Sequence, residues 1–348
     1  MSSTSNRNNV QGYAAPDWVS IQSVFEQNLI DELDIGASLC VYHRGKCVVD
    51  LTGGWKDAKT KNDPYTSDTL QLVFSTSKGV MAAAVALCVE NGWLDYDAPV
   101  AQYWPEFSAN NKENILLRDV LSHRAGLPFV DQQLTVNDTF DWSRMTSLLA
   151  SQKPHWEPGT AHGYHAHTIG YIVGELIHRV DPQHRSYGQF ENSNTNDALP
   201  MDQFTEKALT CNGAFPMKQP SKTIIAFNEA RLHRAELPAS NGITNARSLA
   251  RIYALLIGDV NENGEKKKCL LKEQTLARAT KNVTPPGEPD RTLFGWPTVY
   301  GMGGFEIYSD DFKTLGSNVF GHTGKIFKSN PCSITCKLFL CYTNIDRK

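Results

Sequence analysis

The sequence predicts an α+β protein in which an antiparallel sheet is flanked by helices and interrupted by an inserted helical lobe. Two observations predict this class: β-rich runs lie near both ends of the chain, at residues 37–51 and 300–343, and helical patterns occupy the segment between them. Strands at both ends of a chain indicate a sheet completed by both termini. The 348 residues, of which 41% are hydrophobic, suffice for two lobes with a sizeable core.

We expect three regions along the chain. Residues 1–15 are polar and are predicted to be disordered. Residues 16–76 and 240–348 are predicted to form the sheet lobe, and residues 77–239 the mainly helical lobe. A cleft between the two lobes is the expected place for a site.

The sheet lobe is predicted to begin with a helix and a β-hairpin. After Pro16, apolar residues recur at helical spacing, at Trp18, Ile21, Phe25 and Leu29. Two β-rich runs, Ala37–Tyr42 and Lys46–Leu51, then flank Arg44-Gly45, a pair that favours a tight turn. We therefore expect these runs to pair as antiparallel strands.

The later elements follow from the same periodicities. Helical spacing is seen over residues 115–123, 142–150, 169–180 and 249–256. Residues 181–222 are polar and rich in Asn, which predicts a long surface loop. Beyond them, residues 300–308, 318–322 and 334–343 are β-rich and are predicted to be strands.

Composition excludes several classes of function. The formal net charge of −3 favours neither a nucleic-acid nor an anionic-membrane partner, and the longest apolar run is too short to span a bilayer. The first residues show no secretory signal, so we expect a cytoplasmic protein with reduced cysteines. The densest cysteine group, Cys332, Cys336 and Cys341, lacks the ligand spacing of a zinc site. We expect neither a metal nor a cofactor.

The stretch from Phe74 to Asn91 carries the first candidate for chemistry. A polar Ser-Thr-Ser-Lys segment opens a nearly unbroken run of small apolar residues, which predicts one helix buried on all sides. Residues three apart share a helix face, so Ser75 and Lys78 are expected to lie side by side at the helix N-terminus. There, unpaired N–H groups favour an oxyanion, and burial moves a lysine toward acting as a base. Taken by itself, this pair has an alternative explanation, in which Ser75 is an N-capping residue and Lys78 is solvated.

Two later segments supply further candidates. Tyr164 lies in a Gly-containing loop before a helix, from which a phenol can reach across a cleft and transfer the serine proton. The alternative explanation is that Tyr164 is a packed aromatic residue whose hydroxyl is satisfied by a hydrogen bond. Gly321-His322-Thr323-Gly324 ends a predicted strand, where small residues allow an acyl substrate to lie against the backbone. Histidines at 162, 165 and 167 match no standard metal-ligand spacing.

Taken together, Ser-x-x-Lys, the tyrosine motif and His-Thr-Gly resemble the motifs of the serine β-lactamase and penicillin-binding protein family. The branch related to class C β-lactamases is most similar, above all the family VIII carboxylesterases and the animal β-lactamase-like proteins. Further similar stretches are residues 41–45, 121–127, 163–166 and 238–242. The resemblance extends from about Trp18 to Gly324 and implies a β-lactamase/DD-peptidase-like fold.

By this resemblance, Ser75 is the nucleophile, and Lys78 and Tyr164 form the base pair. The backbone N–H groups of Ser75 and Lys325 would form the oxyanion hole, and His322, Thr323 and Gly324 would contact the substrate. Ala166 stands where class C β-lactamases have asparagine, which favours esters over lactams. The expected function is therefore acyl-enzyme hydrolysis of small esters or amides. The alternatives are a catalytically impaired scaffold and a peptidase or amidase that uses the same residues.

The end of the chain departs from the resemblance. After His-Thr-Gly, Lys325-Ile326-Phe327-Lys328 replaces the small residues of the family, and no helix-length segment follows before Lys348. We expect the C-terminal helix of the family to be missing. Such an ending predicts an exposed apolar patch, possible self-association, and lower stability and activity.

Overall fold

The computed structural model describes residues 8–187, 203–212, 214–215, 232, 235–308, 319–324 and 339–342, with only the backbone described for 203, 205, 206 and 339–342. The α-helices are α1 (Val19–Ile30), α2 (Ser77–Glu90), α3 (Val100–Tyr103), α4 (Leu117–Leu121), α5 (Trp142–Ser151), α6 (Thr168–Val180), α7 (Gln203–Thr210), α8 (Ala246–Ile257) and α9 (Glu273–Ala279). Single 3-10 turns are found at Pro16–Trp18, Phe74–Thr76, Pro105–Ser108 and Val136–Phe140.

The strands are β1 (Gln11–Ala14), β2 (Gly36–His43), β3 (Lys46–Gly54), β4 (Gln71–Leu72), β5 (Ile243–Thr244), β6 (Val260–Glu262), β7 (Glu265–Lys267), β8 (Glu306–Ile307), β9 (Val319–His322) and β10 (Phe339–Tyr342). Hydrogen bonds join the described strands in the orders β1-β3-β2, β10-β9-β8, β4-β5 and β6-β7. Helices together with antiparallel strands confirm the predicted α+β class.

The chain divides into two compact units. The first consists of residues 1–71, 244–270 and 325–339, and the second of residues 72–243, 271–324 and 340–348. This division places residues 271–324 in one unit with the mainly helical segment 72–243, whereas the sequence assigns residues 240–348 to the sheet lobe. The lobe boundaries near residues 76 and 240 stay a prediction.

In the first unit, the predicted hairpin is confirmed. Strands β2 and β3 pair antiparallel, with Leu39 opposite Leu51. The turn between them has positive φ at Arg44 (49°) and Gly45 (73°), as a two-residue hairpin of the I′ type requires. Helix α1 packs Phe25 and Leu29 against this sheet, so the predicted apolar face of α1 is its buried face.

The predicted disorder of residues 1–15 is wrong for part of that segment. Residues 11–14 form β1, which pairs antiparallel with β3. Polar composition did not reveal this strand, because a strand at a sheet edge is held by backbone hydrogen bonds and needs few apolar side chains. Residues 1–7 lie outside the described part of the chain.

In the second unit, α2 is the central helix. Met81, Ala82, Val85 and Ala86 are each at most 1% exposed, as the unbroken apolar run predicts. Helices α6 and α9 and strand β9 pack around α2. Its small side chains allow this close approach from several directions, so α2 provides a rigid support for the residues at its N-terminus.

Other elements differ from the predictions. The predicted loop 181–222 contains α7, and the predicted strand over 300–308 is reduced to β8. Gly304 (φ +89°) interrupts that strand with a turn, which shortens it. Of the predicted strand 334–343, residues 339–342 form β10, and the rest lies outside the described residues. In the described ranges, no helix combines the length and apolarity needed to cross a membrane.

Candidate active site

Ser75 lies in the 3-10 turn Phe74–Thr76, which runs directly into α2. The preceding Phe74 has φ of 44°, a left-handed conformation that non-glycine residues seldom adopt. Such a conformation persists only where the surroundings impose it, and it is common beside functional side chains. The backbone N–H of Thr76 donates to Val73 O at 3.0 Å, which closes the turn. Ser75 is thereby placed at the N-terminal end of a buried helix.

Lys78 lies one turn further on, and its side chain is directed back toward Ser75. The Nζ atom is 3.3 Å from Ser75 Oγ and donates to the carbonyl oxygens of Ala166 (2.7 Å) and Ala239 (2.8 Å). The residue is only 1% exposed. Burial lowers the pKa of Lys78 from 10.5 to about 7, although the negative charge of Glu306 opposes this shift. A neutral amine is therefore accessible at ordinary pH.

Tyr164 approaches Ser75 from the loop before α6. Its Oη donates to Ser75 Oγ at 2.5 Å, and the Lys78 Nζ atom is 4.7 Å from the centre of its ring. Burial raises the pKa of the Tyr164 phenol well above its ordinary value, although the hydrogen bond with Ser75 acts in the opposite direction. The structure thus brings together the three residues that the sequence predicts to be catalytic.

The backbone of Tyr164 is held by Asp290, which the sequence analysis missed. The N–H of Tyr164 is 3.1 and 3.2 Å from the two carboxylate oxygens of Asp290. The same carboxylate accepts the N–H groups of Thr292 (2.8 Å) and Leu293 (3.0 Å) and the hydroxyl of Thr298 (2.9 Å). Asp290 is 1% exposed, so these donors replace the water that a buried carboxylate loses.

Two glycines permit close packing around the Ser75 turn. Gly242 donates its N–H to Ser77 Oγ at 2.8 Å, and a Cβ on Gly242 would lie 2.5 Å from that oxygen. A Cβ on Gly324 would lie 2.5 Å from the backbone oxygen of Val73 and 2.7 Å from Thr76 Oγ1. Any side chain at these positions would push the backbone away from the turn. Both glycines belong to stretches that the resemblance singled out.

The His-Thr-Gly residues lie at the end of β9. His322 is 1% exposed, and its Nδ1 is 2.9 Å from Thr323 O. A carbonyl oxygen can only accept a hydrogen bond, so Nδ1 of His322 carries the proton. Nε2 of the neutral ring is then an acceptor, and it has no partner in the described part of the chain. Burial lowers the pKa of His322, which favours this neutral form. Lys325, the predicted oxyanion-hole residue, lies outside the described residues.

Glu306 holds Thr323 in place. Its Oε2 accepts the N–H of Thr323 at 2.7 Å and the Thr323 hydroxyl at 2.9 Å, and Tyr308 also donates to it. Glu306 is buried and lies one strand from β9, in β8. No local motif marks this glutamate, so the sequence did not predict it.

A further histidine, His123, packs against Tyr164. Its ring centre is 4.9 Å from that of Tyr164, and its Nδ1 accepts the backbone N–H of His165 at 3.0 Å. The residue has φ of 62° and is fully buried. This strained backbone was not predicted, because the sequence 121–127 also fits an ordinary helix end.

The loop histidines His162 and His165 form hydrogen bonds with other residues of the chain. His165 Nε2 accepts the N–H of Leu127 at 2.8 Å, and its Nδ1 donates to Gly163 O at 2.6 Å. His162 Nδ1 is 2.5 Å from Glu288 Oε2, in a buried network with Arg124. These contacts fix the loop that carries Tyr164.

The chain is similar to known proteins in sequence and in fold. The Beta-lactamase family model matches residues 25–335. A curated relative, the esterase/beta-lactamase LipL of Mycobacterium tuberculosis, is 31% identical over 315 residues, which is 82% of this chain and 72% of LipL.

Two solved structures are similar over most of their length. One is a family VIII carboxylesterase, with 32% identity, a TM-score of 0.76, and coverage of 91% of this chain and 88% of that one. The other is a penicillin-binding protein homolog from Caulobacter crescentus, with 28% identity, a TM-score of 0.76 and the same coverage. The match of the family model over most of the chain, together with these relatives, shows that the protein belongs to the β-lactamase family of serine hydrolases.

Proposed function

We propose that this protein hydrolyses small carboxylic esters through an acyl-enzyme on Ser75. The observation that carries the proposal is the position of Ser75 Oγ, which lies 3.3 Å from Lys78 Nζ and 2.5 Å from Tyr164 Oη. A hydroxyl between an amine of lowered pKa and a phenol can be deprotonated as it attacks, which is the requirement for a serine nucleophile.

Lys78 is the proposed base. A neutral amine has two N–H groups and one lone pair, and the two shortest contacts of Nζ are to carbonyl oxygens, those of Ala166 and Ala239. With both N–H groups occupied there, the lone pair faces Ser75 Oγ. The serine proton therefore passes to Lys78 as the oxygen forms its bond to the acyl carbon.

Tyr164 is the proposed proton donor to the leaving group. The raised pKa keeps its phenol protonated at neutral pH, and in the resting site the phenol donates to Ser75 Oγ. When the ester C–O bond breaks, Tyr164 gives its proton to the departing alkoxide and recovers one from the Lys78 ammonium. Attack of water then reverses these transfers and releases the acid, with Ser75 as the leaving group.

The oxyanion of the tetrahedral intermediate is proposed to bind at the N-terminal end of the 3-10 turn that leads into α2. The N–H of Ser75 and the positive end of the following helix favour negative charge there. Gly324 brings β9 within contact of Val73, which supports a role for the next residue, Lys325, as the second N–H donor. One such donor is typically worth about 3 kcal/mol of transition-state stabilisation.

Esters are favoured over β-lactams by the polar groups of this site. Ala166 contributes only its carbonyl, which Lys78 already occupies, and His322 is a buried neutral ring that offers an acceptor. Neither side chain supplies the cation that a lactam carboxylate requires. The similar solved structure named as a family VIII carboxylesterase supports the same substrate class, whereas LipL is named both an esterase and a β-lactamase.

The test is hydrolysis of p-nitrophenyl butyrate by the purified chain. Ser75→Ala is expected to remove turnover. Ser151→Ala is the matched control, because Ser151 is exposed and, within the described residues, its hydroxyl donates to carbonyls of its own helix. Turnover by the Ser75→Ala variant at the wild-type rate would refute the proposal.

A further inference from the structure

Two cysteines of the first unit lie side by side on the β2–β3 hairpin. The sulfur atoms of Cys40 and Cys47 are 3.7 Å apart, and both thiols are free. A disulfide needs an S–S distance of about 2.05 Å, so the two sulfur atoms must approach each other by less than 2 Å to bond. Cys40 is 8% exposed, and Cys47 is more accessible.

The strand register places the two thiols on one face of the sheet. Cys47 is opposite Tyr42, and Cys40 lies two residues before Tyr42 on the same strand. Side chains two residues apart on a strand point to the same face, so Cys40 and Cys47 are diagonal neighbours. An irregularity in the pairing between Val41 and Tyr42 shifts the register at this point.

The surroundings make the two sulfur atoms chemically unequal. A hydrogen bond from Cys40 lowers the pKa of the Cys47 thiol, and the Arg247 guanidinium lowers it further. Burial and the negative charge of Glu262 raise this pKa but do not outweigh the lowering. The pKa of Cys40 is raised by the same hydrogen bond and by burial. In its protonated form Cys47 donates to Val49 O at 3.4 Å, so its sulfur lone pairs stay free to accept from Cys40.

We propose that Cys40 and Cys47 form a modification site for hydroperoxides, at which Cys47 is oxidised first and Cys40 closes a disulfide across the hairpin. A partly exposed sulfur with thiolate character is the one that peroxides attack. The neighbouring buried thiol is positioned to resolve the product before further oxidation.

The two steps balance as follows. The Cys47 thiolate attacks a peroxide oxygen, an S–O bond forms, the O–O bond breaks, and the departing oxygen takes up a proton as water or alcohol. Cys47 is now a sulfenic acid. The sulfur of Cys40 attacks Cys47, an S–S bond forms, the S–O bond breaks, and the hydroxide leaves as water with the proton of Cys40. In total, two thiols are oxidised and one hydroperoxide is reduced.

The experiment uses the full chain and hydrogen peroxide. After brief oxidation, remaining thiols are alkylated, and tryptic peptides are analysed by mass spectrometry. Arg44 and Lys46 lie between the two cysteines, so trypsin releases them on separate peptides unless a disulfide joins them. The expected result is a linked pair and a chain lighter by two hydrogens. Free Cys40 and Cys47 after other cysteines have been oxidised would overturn the proposal.

Variants separate the two roles. Cys40→Ser is expected to accumulate a sulfenic acid on Cys47 that a cyclic dione traps, and Cys47→Ser to give neither product. Cys269→Ser is the matched control, because Cys269 is also partly exposed and belongs to the same unit, and it should form the linked pair at the wild-type rate. Dione trapping at a cysteine other than Cys47 in the Cys40→Ser variant would contradict the assignment.

A measurement on the wild-type chain alone covers the case in which a variant does not fold. Limited alkylation of the reduced chain at neutral pH should modify Cys47 first, roughly tenfold faster than Cys269. Equal or slower reaction of Cys47 would overturn the proposal. All of these residues lie in the first unit and none belongs to the proposed catalytic set, so the result is independent of the proposed hydrolase activity.

Discussion

The backbone N–H of Tyr164 donates to the carboxylate of Asp290, at 3.1 and 3.2 Å from its two oxygens. This contact joins two residues that are 126 positions apart in the chain. The phenol of Tyr164 therefore depends for its position on a buried acid that takes no part in the proposed proton transfers. Asp290 is therefore proposed as a positioning residue, whose role is separable from that of Tyr164.

The Asp290→Asn variant is expected to lose kcat on p-nitrophenyl butyrate roughly tenfold, with little change in KM. The amide nitrogen of asparagine is a donor, so it cannot accept a hydrogen bond from the N–H groups that surround Asp290. Tyr164 is therefore expected to shift, while the substrate site stays intact. Unsatisfied buried groups cost about 1–3 kcal/mol, which urea unfolding should detect. A variant of lower stability but unchanged kcat would show that Asp290 is structural only.

The pH dependence of turnover should follow Lys78. With a pKa of about 7 in the folded protein, the amine loses its proton as pH rises, so kcat/KM is expected to increase and to be half-maximal near pH 7. The rate of Lys78→Ala should be low and nearly independent of pH in this range. A wild-type profile that is flat down to pH 5 would contradict Lys78 as the base.

The same pKa predicts a change of stability with pH. Between about 7 and 10.5 the unfolded chain binds a proton at Lys78 that the folded chain lacks, so the contribution of Lys78 makes the free energy of unfolding rise with pH in this window. Urea unfolding of the wild type and of Lys78→Met, compared across the window, isolates this contribution. Identical slopes in the two proteins would show that the pKa of Lys78 is not lowered.

Gly324→Ala tests the close packing at the end of β9. The new Cβ would lie 2.5 Å from the backbone oxygen of Val73, so we expect a loss of about 1–3 kcal/mol of stability and most of the esterase activity. Gly258→Ala is the control, because in the described part of the chain no atom beyond its immediate neighbours lies within 4 Å of a Cβ at that position. Equal stability and activity of the two variants would disprove the tight contact.

Substrate preference tests the polar groups of the site. Nitrocefin carries a carboxylate that finds no cationic side chain at position 322, so its kcat/KM should be at least roughly tenfold below that of p-nitrophenyl butyrate. His322→Lys should reduce that difference, because the new ammonium can pair with the carboxylate. Comparable turnover of the two substrates by the wild type would argue against an ester preference.

The sequence revealed features whose residues are close along the chain. The pairing of Ser75 with Lys78 depends only on helical spacing, and the β2–β3 hairpin depends on strand alternation around Arg44-Gly45. Both are local properties, so one sequence suffices to predict them.

The features that sequence reasoning missed depend on tertiary contacts. The partners of Lys78 are backbone carbonyls of Ala166 and Ala239, which any residue type provides. Asp290 and Glu306 also bind donors near them in the chain, but the residues that they hold in the site, Tyr164 and Thr323, lie on other segments, so neither acid was recognised from its local sequence. Strand β1 and helix α7 are polar segments, and composition alone assigned them to disorder and to a loop.

Hydrolysis through an acyl-enzyme requires that Ser75 becomes acylated. The most direct measurement is the intact mass of the protein, quenched in acid during turnover of p-nitrophenyl butyrate, followed by peptide mapping. The expected result is a mass increase equal to one butyryl group, located on Ser75 and absent from the Ser75→Ala variant. Ester turnover by the wild type with no acyl group on Ser75, or with the label on another residue, would contradict it.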